Sequence, residues 1–267
     1  MDKMITFVPL GGLCNRMRAM ASGVFISRKL GCDINFDWKK DNNCFAHFSD
    51  LFEPLSLEGV KIMPSGLFDI YLNPSRRKNL YIPGLLRKTI FDSCITGDFE
   101  RQDEDIFNKI SGEKVCIISG YSLSKHFPLN EIFVPVSDIN ERINRLKQRF
   151  KSNTVGIHIR RGDNIHSIER NPINDYLSYI DEEIKTNPDV CFYLATDSPD
   201  IKNDLIKGFG EKIIYNDAKL ERTSVNGMKD AVIDLWCLAS TKKIIGSYYS
   251  SFSDIAAEMG KIELRIL

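Results

Sequence analysis

Two hydrophobic patterns alternate along this chain. Short continuous apolar runs, such as Met4–Leu10 and Thr154–Ile159, are typical of strands that are buried on both faces. Between such runs, apolar residues recur at helical spacing, as in the stretch 173–184. Strands that alternate with helices predict an α/β fold in which helices cover both faces of a parallel sheet.

The pattern is clear at the start of the chain and after residue 154, but it blurs in between. Gly11 and Gly12 separate the first strand from a helix, and Gly31 ends that helix before a second strand. Prolines interrupt the stretch from Asp41 to Gly112, so we expect it to be irregular and rich in loops.

The charges of the chain balance. Its 267 residues include 36 lysines and arginines and 36 aspartates and glutamates, so the formal net charge is zero. A zero net charge argues against nucleic-acid binding through a broad basic surface, so an anionic ligand must be bound by local cations. The length exceeds the usual domain of about 150 residues, which allows one large domain or two small ones.

The cysteines predict a reducing environment. They are odd in number, lack a Cys-x-x-Cys pair and mostly fall inside apolar runs, so we expect neither disulfides nor a zinc site: Cys14, Cys32, Cys44, Cys94, Cys116, Cys191 and Cys237. The first apolar run leads directly into glycines and a basic segment, unlike a signal peptide. No apolar run reaches the roughly 18 residues of a membrane span. We therefore expect a cytoplasmic protein.

The most informative motif follows the predicted strand Thr154–Ile159. It reads His158-Ile159-Arg160-Arg161-Gly162-Asp163, at the strand end that faces the ligand side of a parallel sheet. Because side chains alternate along an extended chain, one arginine can face a ligand while the other contacts a structural partner such as Asp163. Arginine binds phosphate through two charge-assisted hydrogen bonds. The alternative is a solvated turn with a surface ion pair between Arg161 and Asp163.

Polar residues also follow the first strand. The segment Gly11-Gly12-Leu13-Cys14-Asn15-Arg16 joins that strand to a helix, whose free N-terminal amides suit an anion. Asn15 and Arg16 add donors for a phosphate or a sugar hydroxyl. The alternative is a tight turn without a ligand, because the segment is neither a GxGxxG nor a Walker loop.

Two later turns between a strand and a helix each allow two interpretations. Asp197 can accept hydrogen bonds from a ribose or a base, or Asp197 or Ser198 can cap the next helix. In the stretch 247–253, hydroxyls and amides can bind phosphate, or a serine can act as the helix N-cap. The acidic triplet Asp103–Asp105 matches a metal-binding DxD pattern but is more typical of the start of a surface helix.

Four motifs, in this order, resemble the fucosyltransferase superfamily, which includes bacterial α-1,2- and α-1,6-fucosyltransferases and protein O-fucosyltransferases. They are the GGLxNR loop, the HxRRGD segment, the ATDSP turn and the closing stretch DLWCLASTKKIIGSYYSSFSDIAAEMG. The resemblance covers the first thirty residues and most of the chain after Thr154. Cys14 departs from the family pattern, in which glycine or phenylalanine-glycine often precedes the asparagine.

The resemblance implies a GT-B-like α/β fold, with two Rossmann-like domains whose parallel sheets face a cleft. Residues 1–137 would form an N-terminal domain on the acceptor side, and residues 138–267 would form a C-terminal domain that binds the GDP-sugar. The implied reaction is an inverting transfer of fucose from GDP-fucose to a glycan hydroxyl, as in polysaccharide biosynthesis, with no cofactor and no essential metal. The implied partners are that donor and a glycan acceptor, and peripheral association with a membrane is left open.

The resemblance also assigns site residues. Arg160 and Arg161 match the arginines that bind the diphosphate, and we expect both to be catalytic. The predicted donor-binding positions are Gly12, Asn15, Arg16, His158, Asp197, Ser250, Ser251 and Phe252. An inverting transfer needs a base near the acceptor hydroxyl, and of the residues after the arginines we favour Asp163 or Glu169 over His166. The alternative function is a non-catalytic protein of the same fold that binds a nucleotide-sugar or a glycan.

Overall fold

The protein is described from a computed structural model over residues 3–64, 72, 82–96, 106–162, 170–217 and 223–267. The chain forms two compact units, Met1–Val134 and Pro135–Leu267, which we call unit 1 and unit 2. Within the described ranges, each unit contains one five-stranded parallel sheet with helices. The predicted α/β fold with two Rossmann-like parallel sheets is confirmed.

The sheet of unit 1 has the strand order β3-β2-β1-β5-β4, and every pairing is parallel. Its strands are β1 Met4–Pro9, β2 Asp33–Phe36, β3 Val60–Ile62, β4 Ser93–Thr96 and β5 Lys114–Ser119. The described helices of this unit are Leu13–Leu30, Phe48–Leu51, Gly84–Ile90, Ile106–Lys109 and Leu129–Ile132. In the centre of the sheet, Phe7 of β1 lies beside Phe36 of β2 and Ile117 of β5.

The long helix Leu13–Leu30 lies close to this sheet because of a glycine. A Cβ at Gly23 would come within 3.0 Å of Phe7 and 3.1 Å of Phe36, so a larger residue would require these side chains or the helix to shift. Both phenylalanines are fully buried. Gly31 ends the helix in the left-handed conformation at φ 59°, as the sequence predicts.

The sheet of unit 2 has the strand order β10-β9-β6-β7-β8, and its pairings are also parallel. Its strands are β6 Val155–Ile159, β7 Phe192–Thr196, β8 Ile213–Tyr215, β9 Lys243–Gly246 and β10 Glu263–Ile266. Its described helices are Ser137–Lys147, Ile173–Thr186, Pro199–Phe209, Val225–Ala239 and Ser251–Gly260, with a 3₁₀ turn at Gly210–Lys212.

The two central strands of unit 2 are buried along their whole length. All residues of β6 and β7 are buried, which explains their continuous apolar sequences. Ile157 lies beside Leu194 in the register, and Tyr176 and Ile180 of the helix Ile173–Thr186 pack into the same core. Burial of side chains of this size stabilises a fold by about 1.5–3 kcal/mol each.

Three strands differ from the sequence-based expectation. β3 and β4 lie within the stretch 41–112, where we expected irregular structure, and β10 carried no predicted strand. All three have only three or four residues and lie at the edges of their sheets. A short edge strand is partly exposed, so its sequence need not be a continuous apolar run. This explains why the hydrophobic pattern did not show them.

The cysteines are free thiols, and most are buried. Within the part of the chain that the structure describes, no helix combines the length and the apolar character needed to cross a membrane.

Candidate functional site

The strand order of unit 2 creates a switch point between β6 and β9. From β6 the sheet continues to β7 and β8 on one side, and from β9 it continues to β10 on the other. In open parallel sheets, ligands bind outside the carboxyl ends of the strands that flank such a point. Arg160–Gly162 follow β6 there, and Ser247–Ser250 follow β9. Two of the sequence motifs therefore meet at the expected ligand edge of the sheet.

Asp197 orients the backbone of the turn Arg160–Gly162, which we call the arginine turn. Its Oδ1 accepts a hydrogen bond of 2.6 Å from the Arg161 N–H, and its Oδ2 accepts one of 3.1 Å from the Gly162 N–H. The helix cap is Ser198, whose Oγ accepts from the Ile201 N–H. The Asp197 carboxylate thus orients the arginine turn, while its contact with a ribose stays a prediction.

Ser247 connects the ends of β6 and β9. Its buried Oγ donates to the His158 carbonyl at 3.0 Å and accepts from the Arg160 N–H at 2.9 Å. The Tyr176 hydroxyl lies 3.0 Å from the same oxygen and donates to the Gly246 carbonyl. Burial raises the pKa of Tyr176, so its phenol stays protonated and able to donate. Ser247 therefore holds the backbone from the His158 carbonyl to the Arg160 N–H in place.

Asn171 links Arg161 to the loop after β9. Its carbonyl accepts a hydrogen bond of 2.5 Å from the Arg161 guanidinium, and its side-chain Oδ1 accepts one of 2.6 Å from the Tyr248 N–H. Its Nδ2 donates to the Leu267 carbonyl, and the residue is only 1% exposed. Sequence reasoning missed Asn171 and Tyr176. Neither belongs to a recognised motif, and the only local signal is that Asn171-Pro172 precedes a helix.

His158 lies inside the unit. Its Nδ1 is 2.7 Å from the Ser253 Oγ, and its ring centre is 5.0 Å from that of Phe252. These contacts join β6 to the first turn of the helix Ser251–Gly260. His158 is 7% exposed, and these contacts pack it inside unit 2, while its contact with a donor stays a prediction.

The loop Ser247–Ser250, which we call the serine loop, ends at the N-cap position of the next helix, and the hydroxyl of the residue there does not cap that helix. Ser250 is the N-cap residue of the helix Ser251–Gly260, as one of the two interpretations predicts, but its side chain forms no capping hydrogen bond. Among the described residues nothing hydrogen-bonds to its buried Oγ. The preceding residue, Tyr249, is 70% exposed and has φ 54°. For a residue other than glycine this left-handed conformation costs roughly 1–2 kcal/mol, so the turn is strained.

In unit 1, Arg16 holds in place the segment that begins at Gly11 and Gly12, which we call the glycine loop. Its Nε donates to the Gly11 carbonyl at 2.9 Å, an Nη donates to the Lys39 carbonyl at 2.5 Å, and the other Nη lies 2.7 Å from Asp41. Its guanidinium also stacks on Trp38 at 5.1 Å. Arg16 is only 1% exposed, and its contacts hold the glycine loop and Trp38 in position. A Cβ at Gly11 would lie 2.9 Å from the Asn15 amide, so this side chain folds back on the loop.

The predicted site residues fall into three groups. Unit 2 brings together, at the switch point, His158, Arg160, Arg161, Asp197, Ser250, Ser251 and Phe252. Unit 1 holds Gly12, Asn15 and Arg16. The candidate bases Asp163 and Glu169, His166 and the triplet Asp103–Asp105 lie outside the described residues. Within the described ranges, no group of three or more His, Cys, Asp or Glu residues could hold a metal ion.

Comparison with solved structures finds several fucosyltransferases of similar fold. Fucosyltransferase NodZ from Bradyrhizobium matches with a TM-score of 0.62 and 18% identity over 96% of this chain and 93% of NodZ. A mutant of FUT1 from Arabidopsis thaliana in complex with GDP matches with a TM-score of 0.62 and 15% identity over 100% of this chain and 70% of FUT1. POFUT1 in complex with GDP matches with a TM-score of 0.57 and 11% identity over 100% of this chain and 99% of POFUT1.

By sequence alone, no protein-family profile and no curated protein matches the chain. The likeness therefore lies in the fold, and it extends over both units. The chain has the GT-B-like fold of the fucosyltransferases, with one parallel Rossmann-like sheet in each unit.

Proposed function

We propose that this chain transfers fucose from GDP-fucose to a glycan hydroxyl, with inversion and without a metal ion. The observation that carries the proposal is the arginine turn Arg160–Gly162, which Asp197 and Ser247 fix at the switch point of unit 2. Support also comes from solved structures of the same fold, NodZ and POFUT1, which were determined with GDP or GDP-fucose.

The chemistry requires fixed positive charge. When the bond between fucose and GDP breaks, negative charge develops on the β-phosphate, so cations aimed there stabilise the transition state more than the ground state. Arg160 and Arg161 supply two such cations. Because their backbone is already held by Asp197 and Ser247, little reorganisation is needed when the charge develops.

The helix Ser251–Gly260 offers a second anion-binding element. Its free N-terminal amides and the buried Ser250 hydroxyl would donate to the donor phosphates, with Ser251 and Phe252 in the first turn. In this proposal residues 138–267 bind the donor. Residues 1–137 bind the acceptor, and Gly12 and Asn15 are proposed as further donor-binding residues.

The acceptor hydroxyl must lose its proton during an inverting transfer. We propose Asp163 or Glu169 as the base, because both follow the arginine turn in the sequence. The free thiols throughout the chain support a reducing compartment such as the cytoplasm. The proposed role, in polysaccharide biosynthesis, follows from the proposed transfer of fucose to a glycan.

The test is release of GDP from GDP-fucose. We expect GDP to raise the melting temperature more than UDP, CMP or NAD does, and we expect slow hydrolysis of GDP-fucose without an acceptor. Stabilisation by GDP without any release would favour the non-catalytic binding protein. Stabilisation by UDP or NAD, but not by GDP, would contradict the donor assignment.

A further inference from the structure

The serine loop contains a large aromatic residue in a backbone conformation that favours glycine. Tyr249 is 70% exposed and has φ 54°, in the left-handed region. Among the described residues, Lys261 is the other non-glycine residue with a positive φ. An exposed ring adds little to the buried core, and glycine would adopt this backbone without strain. The stability of the fold therefore does not explain why a tyrosine is present here, and such a strained position indicates a function.

The residues on both sides of Tyr249 are held in place. The Tyr248 N–H donates to the Asn171 side chain at 2.6 Å, and the Arg170 guanidinium lies 4.7 Å from the centre of the Tyr248 ring. On the other side, Ser250 is 2% exposed and begins the next helix as its N-cap residue. The neighbours of Tyr249 therefore impose its backbone conformation.

The exposed ring lies beside a supported one. The ring centres of Tyr248 and Tyr249 are 6.2 Å apart, and the angle between the ring planes is 33°. Tyr248 is partly buried, whereas most of the Tyr249 side chain is accessible to solvent. A ligand would therefore meet an aromatic surface whose backbone is already ordered, which lowers the entropy cost of binding.

Tyr249 lies next to the proposed phosphate site of unit 2. The adjacent Ser250 Oγ is buried, and nothing among the described residues hydrogen-bonds to it. In the proposed function this hydroxyl and the first amides of the helix Ser251–Gly260 donate to the donor phosphates. Tyr249 is thus one residue away from the groups that hold the phosphates, so its ring can contact a part of the donor that adjoins them.

The strand order indicates which part of the donor this is. The carboxyl ends of β9, β6 and β7 follow one another along the sheet, with the arginine turn after β6 in the middle. Asp197, which is predicted to contact the ribose, follows β7, and Tyr249 follows β9. If the phosphates lie at the arginine turn, the nucleoside extends towards β7 and the sugar towards β9.

We propose that the Tyr249 ring binds the apolar face of the fucosyl group of GDP-fucose and thereby determines the preference for this sugar. The proposal rests on the proposed function. Fucose has a methyl group at C5 and C–H groups on one face of its ring, which suit the apolar body of a tyrosine. The mannosyl group of GDP-mannose has a hydroxymethyl group instead, whose hydroxyl would lose water against the ring without gaining a partner.

The experiment measures the dissociation constants of GDP-fucose, GDP-mannose and GDP for the full chain by isothermal titration calorimetry. We expect Tyr249→Gly to weaken binding of GDP-fucose at least about fivefold and to lower its preference over GDP-mannose, because the contact between the ring and the sugar is lost. Binding of GDP, which has no sugar, should change less than about twofold. Tyr249→Phe keeps the ring and should keep the affinity for GDP-fucose.

Two results would overturn the proposal. One is equal affinity of the wild type and Tyr249→Gly for GDP-fucose. The other is an equal loss of affinity for GDP and GDP-fucose, which would place the ring against the nucleotide instead of the sugar. Tyr249→Asn serves if Tyr249→Gly does not fold, because asparagine also tolerates the left-handed conformation.

Lys261→Gly is the matched control for the change to glycine. Lys261 has φ 51° and is the C-cap residue at the other end of the helix Ser251–Gly260. We expect both glycine variants to melt close to the wild-type temperature, because relief of strain offsets the added freedom of the unfolded chain. Only Tyr249→Gly should lose affinity for GDP-fucose. A similar loss in Lys261→Gly would contradict a specific role of the Tyr249 ring.

Binding of GDP by the wild type distinguishes this proposal from the donor assignment. If the wild type binds GDP, and Tyr249→Gly keeps the wild-type ratio of the affinities for GDP-fucose and GDP, the donor assignment stands and the role of Tyr249 is refuted. If the wild type binds neither GDP nor GDP-fucose, the proposed function fails and the role of Tyr249 fails with it.

Discussion

The guanidinium of Arg161 donates a hydrogen bond of 2.5 Å to the main-chain carbonyl of Asn171. Asn171 also accepts the Tyr248 N–H through its side chain, so one buried residue holds both loops of the switch point. Arg161 is therefore oriented before any ligand binds. This is the condition under which a cation contributes most to stabilising a developing negative charge.

Removing the Arg161 cation should nearly abolish the reaction. We expect Arg161→Ala to lower the rate of GDP release from GDP-fucose by about 10²–10³-fold, the usual effect of losing a preorganised charge-stabilising group. The measurement is single-turnover GDP release, with thermal melting to verify the fold. Arg149→Ala, which removes an exposed arginine of the same unit, is the control. Near-full activity of Arg161→Ala with unchanged donor affinity would rule out the assignment.

Asn171 should affect both stability and turnover. In Asn171→Ala the partly buried Tyr248 N–H and Leu267 carbonyl each lose a partner, and an unsatisfied group costs up to about 1–3 kcal/mol when it is cut off from water. Urea unfolding should show this loss, and the rate constant of GDP release should fall because the loops are no longer joined. Asn203→Ala, at an exposed helix position, should change neither. A stability loss without any change in turnover would limit Asn171 to a structural role.

Asp197 should control the shape of the arginine turn. We expect Asp197→Ala to weaken GDP binding at least tenfold, because the N–H groups of Arg161 and Gly162 lose their common acceptor. Calorimetric titration with GDP gives the affinity, and Asp200→Ala, at an exposed position three residues later, is the matched control. Equal GDP affinity of both variants would show that the turn keeps its shape without Asp197.

The partly buried carboxyl of Asp234 should make stability depend on pH. It accepts a hydrogen bond of 2.6 Å from the Tyr193 hydroxyl, and burial raises its pKa to about 7 from the usual 3.8. Between these values the folded state binds more protons than the unfolded state, so the contribution of Asp234 to stability falls as the pH rises from about 4 to 7.

We expect Asp234→Asn to lose this dependence. The free energy of unfolding, measured in urea at intervals between pH 4 and 8, should fall less steeply in the variant than in the wild type. The difference between the two slopes removes the effect of other carboxyl groups, such as Asp138, whose pKa is lowered by Lys229. Parallel curves would contradict the assignment to Asp234.

Much of the fold could be predicted from the sequence, because the buried strands have continuous apolar runs. Val155–Ile159 and Phe192–Thr196 are examples, and the helix that begins at Ile173 follows its predicted periodicity. Short edge strands such as Val60–Ile62 lack that signal, since only part of their surface is buried. The sequence also placed the arginines and the serine loop at strand ends, because the motifs directly follow apolar runs.

The partners of these residues could not be predicted. Asp197 holds the backbone of Arg161, 36 residues earlier, and Asn171 contacts Tyr248, 77 residues later. Such contacts depend on which strands are neighbours in the sheet, and a single sequence does not specify this order. Arg16 illustrates the same point, since its burial and its ion pair with Asp41 result from packing in unit 1.

Each of the two units carries one of the chain's two tryptophans, Trp38 in unit 1 and Trp236 in unit 2. Indole fluorescence can therefore follow the units separately. In Trp236→Phe the emission comes from unit 1 alone, and the difference from the wild type gives unit 2. Coincident urea midpoints for the two signals would mean that the units unfold together, while separate midpoints would mean that each is an independent folding unit.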